Sequence, residues 1–153
     1  MNKIKAFSYG IISAFGATFF QQIILILFNV ETIDTSRLTP LLIFGAFSEE
    51  IFKFIFIYKL AKEEESRKKI ILNSCLIGIS FSLVELLFKL WGMQNIKIDY
   101  FSYFGIFIIH ILTAGIMGYF LTLKKGSAAF LVLGITVAVL IHLAYNALLI
   151  YLF

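Results

Sequence analysis

Glu49 and Glu50 lie side by side inside the largely apolar run from Leu41 to Leu60, with Lys53 one helical turn further on. Each ionised residue near the centre of a membrane-spanning helix costs about 2.5 to 3.5 kcal/mol on insertion scales. A lone span does not carry three of them, so they must be paired, neutralised or hydrated among other helices. The cluster thus demands a bundle around it, and an intramembrane ionisable group is by default the place to look for function.

Composition supplies the other helices. Of 153 residues 61% are hydrophobic and 14% charged, against about 25% charged in an average soluble domain. That balance excludes a soluble globular protein and leaves room for roughly five spans of about 20 residues. The apolar runs place them at about 6–30, 40–60, 70–91, 100–123 and 127–153, forming one integral membrane domain over 1–153. The expected fold class is therefore an all-α polytopic membrane helical bundle. The first run is too long for a signal-peptide core and no small-x-small cleavage site follows it, so it reads as a retained span. Thr39 and Pro40 read as a helix cap and the proline tolerated at a first helical position.

The expected connections are Glu31 to Thr39, Lys62 to Lys69, Gly92 to Asp99 and Lys124 to Gly126. In the second of these, Glu63 with Arg67, Glu64 with Lys68 and Glu65 with Lys69 stand at i, i+4, which predicts a solvated extension of the second helix without chemistry of its own. The net charge of +4 records orientation rather than a nucleic-acid partner. With the N-terminus in the cytoplasm, Lys3, Lys5, Lys59, Lys62, Arg67, Lys68, Lys69, Lys124 and Lys125 fall inside, and only Arg37 and Lys97 outside. Such an asymmetry sets the N-terminus cytoplasmic and the C-terminus extracytoplasmic in a cell membrane. Trp91, Tyr100 and Tyr103 read as interfacial belt residues. Cys75 is the single cysteine, which excludes an internal disulfide and any cysteine metal cluster and leaves it a packing role.

The remaining intramembrane polar residues are Glu85 and Lys89 in the third span, His110 in the fourth, and His142 with Asn146 in the fifth. Counted from the expected outer ends at about 1.5 Å per residue, Glu49, Glu50, Glu85, His110 and His142 fall within roughly 9 to 17 Å of one boundary. Four helices thus deliver polar groups to one layer. Residues three or four apart share a helical face, which pairs Glu49 with Lys53 and His142 with Asn146. The same rule sets Gly45 beside Glu49 and continues the His110 face through Ala114 and Gly118, where small residues allow close helix approach. Buried serines and threonines are expected to bond their own backbone carbonyls.

A carboxylate beside an imidazole can hold and deprotonate a water. A second imidazole with a nearby amide offers donors to a developing oxyanion. Two histidines and several glutamates also suit zinc, but no H-E-x-x-H and no Glu-x-x-His pair is present, so neither a metal nor a cofactor is expected.

The ordered series Glu49-Glu50-x-x-Lys53, Gly78-x-x-Phe81-x-x-x-Glu85, His110-x-x-x-Ala114-x-x-x-Gly118 and His142-x-x-x-Asn146 resembles the motifs of PrsW-type intramembrane proteases. These are relatives of the CAAX-protease and bacteriocin-processing superfamily. The resemblance covers the second to fifth spans. It implies a glutamate mechanism without an obligatory metal, with Glu49 activating water, His110 assisting, His142 and Asn146 stabilising the oxyanion, and Glu50 and Lys53 orienting the cluster. Leu86 stands where the family has an asparagine, so Glu85 is left a supporting part. The implied substrate is a membrane-associated protein, anti-sigma factors being the best-known class. Two other functions fit the composition: a small proton- or ion-coupled transporter, and a non-proteolytic immunity or partner-binding protein of the same fold. A relay requires polar groups at successive depths, whereas here they bunch in one layer.

Overall fold

A computed structural model describes residues 3–29, 39–92, 100–123 and 127–152. Five helices run in chain order: α1 (Lys3–Leu27), α2 (Pro40–Glu63), α3 (Arg67–Gly92), α4 (Tyr100–Leu123) and α5 (Ala128–Leu152). Each has 24 to 26 residues, or about 36 to 39 Å at 1.5 Å per residue, enough to cross a hydrocarbon layer of about 30 Å. Four are also apolar enough by composition: α1, α3, α4 and α5. Glu49, Glu50 and Lys53 make α2 the exception.

The ends of α2 follow from local chemistry. Thr39 caps it, its Oγ1 accepting from the Leu42 N–H at 3.2 Å, and Pro40 takes the first helical position. At the other end the expected helical extension does not form. The chain leaves the helix after Glu63, and residues 64–66 are non-helical. The Ser66 N–H donates to the Glu64 carboxylate at 3.2 Å, which holds that carboxyl below its usual range. The Ser66 carbonyl then accepts the Ile70 N–H to open α3. Glu63 pairs with Lys5 of α1 rather than with Arg67. Exposed i, i+4 pairs contribute only about 0.2 to 0.5 kcal/mol each, too little to prevent the reversal that packs α3 back onto the bundle. α1 likewise stops at Leu27, short of the expected Val30, because Asn29 turns the chain at φ 52°, a left-handed conformation that asparagine accepts at a helix end. Of the expected connections, residues 31–38, 93–99 and 124–126, with Arg37, Lys97, Lys124 and Lys125, lie outside the described residues.

The helices α1, α3, α4 and α5 follow one another side by side, and α2 packs against all four. Among the described residues the backbones of α1 and α5 do not come close, and neither do those of α1 and α4 or of α3 and α5. The most charged helix is therefore the central one, and its Glu50, Lys53, Ile57 and Leu60 are all fully buried. Towards the Glu64 turn, Ile57 and Leu60 join Ile70, Ile77, Met117 and Leu121 in an apolar core. Ser74 and Ser80, packed in the same region, donate to carbonyls of their own helix. Outward-facing positions such as Phe15, Phe19, Leu72, Phe104, Val132 and Leu140 are exposed apolar side chains, the surface a lipid environment calls for. Trp91 is also exposed.

Close approach of α3 to α4 depends on Gly78. A Cβ there would lie 2.3 Å from the His110 carbonyl oxygen, a backbone atom that cannot swing aside. Cys75 packs in the same seam, its Sγ 3.1 Å from where a Cβ on Gly115 would stand. Gly78→Val is therefore expected to cost about 1 to 3 kcal/mol or more, the range for overpacking. Gly45→Ala, whose Cβ would meet only the Gln21 Nε2 at 3.8 Å, should change stability far less. Thermal unfolding of the two purified variants in one detergent checks the order.

Candidate active site

Consecutive residues on an α-helix point about 100° apart, so Glu49 and Glu50 leave α2 in different directions and meet His142 at opposite nitrogens. Glu50 turns into the bundle. Its Oε1 accepts from Lys53 Nζ at 2.7 Å, from His142 Nδ1 at 2.7 Å and from the Thr113 hydroxyl at 3.3 Å. Lys53 Nζ also donates to His110 Nδ1 at 2.8 Å and to Thr113 Oγ1 at 3.1 Å. Three acceptors match the three N–H groups of an ammonium. Phe81 closes the site from α3, its ring centroid 4.9 Å from Lys53 Nζ and 4.8 Å from the His110 ring. Lys53 thus shares a face with Glu49 and bonds to Glu50. Both glutamates are within a turn of Lys53, and the buried acceptors on α4 draw its ammonium to the Glu50 side.

Glu49 turns towards α1 and a cavity. Its Oε1 accepts from Gln21 Nε2 at 3.2 Å. Its Oε2 is buried, has no hydrogen-bond partner, and lies 3.9 Å from both His110 Nε2 and His142 Nε2. That separation is too long for a direct hydrogen bond. The cavity, of about 340 Å³, is lined by Gln21, Glu49, Glu85, Lys89, His142 and Asn146 together with apolar residues that include Leu41, Leu42, Phe81 and Phe88. α1 and α5 both contribute to its wall without their backbones coming close.

The ring protons follow from these contacts. An ammonium only donates, so His110 Nδ1 must accept and the proton of the neutral ring resides on Nε2. There it faces Glu85 Oε2, to which His110 is hydrogen-bonded. Glu85 also holds Lys89 at 2.8 Å through Oε1, so it is at once a local pair and a neighbour of the site. His142 is the converse case. Its Nδ1–H is given to Glu50, which leaves Nε2 towards Glu49 and the cavity. Tyr145 fastens this part of α5 by donating to the Ser102 carbonyl of α4 at 2.8 Å. Asn146, one turn beyond His142, lines the cavity with no side-chain hydrogen bond to the cluster among the described residues.

All seven residues picked out from the sequence therefore meet in one region. Glu49, Glu50, Lys53, His110 and His142 form the cluster, Glu85 adjoins it through His110, and Asn146 reaches it only across the cavity. Three further participants were not picked out. Thr113 sits one turn after His110, but threonines usually bond their own helix, as Thr122 does here. Ser48 both donates to the Gly45 carbonyl and accepts from Gln21. Gln21 is an uncharged residue on α1, and its only sequence signal is an amide pair, Gln21 and Gln22, in an apolar span.

Glu49, His110 and His142 each offer one ligand atom within 4.8 Å of the others, the donor composition of a hydrolytic zinc site. Two of the three fit. Glu49 Oε2 is unpartnered, and His142 has the arrangement of a metal ligand whose other nitrogen is bound to a carboxylate. His110 fits less readily: with Lys53 as an ammonium its ring proton sits on Nε2, and a metal there would have to displace it.

A family model described as PrsW family intramembrane metalloprotease matches residues 2–153. No curated protein and no solved structure matches the chain. The family's description includes a metal, for which Glu49, His110 and His142 are the candidate ligands among the described residues. The match extends beyond the four motif-bearing spans to take in α1, and by it the chain belongs to the PrsW family of intramembrane proteases.

Proposed function

We propose that this protein hydrolyses a peptide bond of a membrane-associated protein, with Glu49 as the base that activates water. The observation that carries this reading is the state of Glu49 Oε2: buried, unpartnered, on the wall of the cavity and 3.9 Å from each imidazole. A water donating to that oxygen would lie within reach of both rings.

The water oxygen attacks the scissile carbonyl carbon as its proton passes to Glu49 Oε2. Charge then develops on the carbonyl oxygen, where the Asn146 amide and the imidazolium form of His142 donate. Glu50 supports that imidazolium by holding Nδ1–H at 2.7 Å. On collapse of the tetrahedral intermediate the C–N bond breaks, and the proton on Glu49 goes to the leaving amine. His110 gives its Nε2–H to Glu85 and presents the same edge to Glu49.

A substrate segment reaches the site laterally where the backbones of α1 and α5 stay apart. The basic residues near the Glu64 turn support a cytoplasmic N-terminus, which puts the cavity in the outer half of the membrane. Anti-sigma factors are a candidate substrate class. A proton relay is disfavoured by the apolar core of Ile57, Leu60, Ile77 and Met117 between the cluster and the Glu64 turn.

Purified protein in liposomes, tested on a panel of single-span membrane peptides, is expected to cleave at least one of them. Glu49→Gln should abolish that cleavage while leaving the protein folded, and a chelator should leave the wild-type rate intact. Full activity in Glu49→Gln would sink the mechanism, and loss on chelation would restore a metal. Asn146→Ala should lower turnover by about one to three powers of ten, the usual loss for an oxyanion donor. An unchanged rate would remove Asn146 from the site.

A further inference from the structure

The motif residues all lie on α2 to α5, yet the oxygen of Glu49 that does not face the histidines is held from α1. Gln21 Nε2 is 3.2 Å from Glu49 Oε1, 3.0 Å from Ser48 Oγ and 3.2 Å from the Gly45 carbonyl oxygen. The identity of that nitrogen is fixed by its surroundings. A carboxylate and a carbonyl only accept, and the Ser48 proton is already given to Gly45 at 2.8 Å, so the group facing all three must be the donating amide.

We infer that Gln21 is a positioning residue for Glu49, an inference that rests on the reading of Glu49 as the base. A carboxylate rotates about its terminal torsion with little resistance. Bound at Oε1 by an amide anchored also to Ser48, Glu49 keeps Oε2 turned to His110 and His142, where the attacking water must sit. Among the described residues no other side chain hydrogen-bonds to Glu49. Lys53, the nearest cation on its own helix, is taken up by Glu50, His110 and Thr113. Without Gln21 the carboxylate would be free to turn both oxygens through the cavity.

The test compares kcat and KM for one cleaved peptide in Gln21→Met, which keeps the size of the side chain but removes the donor, and Gln21→Glu, which sets a second carboxylate against Glu49. Gln21→Met is expected to lower kcat by about ten- to a hundredfold with KM little changed, the scale on which a small misplacement of a reacting group acts. Gln21→Glu should fall further. A folded Gln21→Met with wild-type kcat overturns the inference, and so does a change confined to KM, which would make Gln21 a substrate contact. Should Gln21→Met not fold, Gln21→Asn carries the test, because it keeps the amide but shortens its reach: lowered kcat supports positioning and wild-type kcat refutes it. Glu49→Gln run alongside separates the two readings. If it is inactive while the Gln21 variants are unimpaired, only the role of Gln21 fails. If it retains activity, the base assignment fails and the role of Gln21 with it.

Discussion

The ion pair between Glu50 and Lys53, 2.7 Å apart and wholly removed from solvent, is the interaction on which the rest of the site depends. Two charges taken out of water lose several kcal/mol of hydration each, and their attraction offsets this only when the remaining donors and acceptors are satisfied. Here that condition recruits three other helices, which satisfy the ammonium and Glu50 Oε1 and leave only Glu50 Oε2 of the pair without a partner. Thr113 and His110 on α4 complete the shell of the ammonium, Phe81 on α3 covers it, and His142 on α5 completes Glu50 Oε1. Once the pair is buried in α2, these residues have little freedom left. The pair also explains why α2, the least suited of the five helices to face lipid, is the one that touches all the others.

The same pair sets the protonation pattern on which chemistry turns. Lys53 assigns the His110 proton to Nε2, and Glu50 assigns a His142 proton to Nδ1. Each histidine thus has one nitrogen committed to the bundle and the other directed at Glu49. Each of the two adjacent glutamates keeps one buried oxygen without a partner, and their surroundings still separate them: Glu50 Oε1 is saturated by Lys53, His142 and Thr113 inside the bundle, while Glu49 lines the cavity with Oε2 between the two imidazoles. Environments that separate two carboxylates in this way are how acid and base roles are divided elsewhere. The cost of leaving Glu49 Oε2 unpaired is what a water or a substrate proton would relieve.

Much of this was legible in the sequence because rise per residue is fixed and span ends are set by hydrophobicity. Depth matching alone brought Glu49, Glu85, His110 and His142 into one layer, and Thr39 with Pro40 marked the start of α2. Partner choice was not legible. Positions i+3 and i+4 are nearly equivalent on a helix surface, and only the acceptors of α4 decide that Lys53 serves Glu50 rather than Glu49. The break at residues 64–66 was hidden by charge spacing that favours helix locally, when the deciding term is the packing of α3 on α1, α2 and α4. Gln21 escaped notice because a single neutral amide in a span carries no strong cost, and its three acceptors lie on another helix.

The division of the bundle along its length bears on what the cluster is for. Towards the Thr39 cap, polar groups face a cavity flanked by two helices whose backbones stay apart. Towards the Glu64 turn, Ile57, Leu60, Ile70, Ile77, Met117 and Leu121 fill the interior, and the serines among them are spent on their own backbone. Hydrolysis needs water and substrate from one side only, and gains from a dry floor that strengthens each electrostatic contact above it. Transport needs a path through both halves. A bundle with a polar cavity in one half and apolar packing in the other therefore favours a peptidase, and the packed half also anchors α2 beneath Glu49.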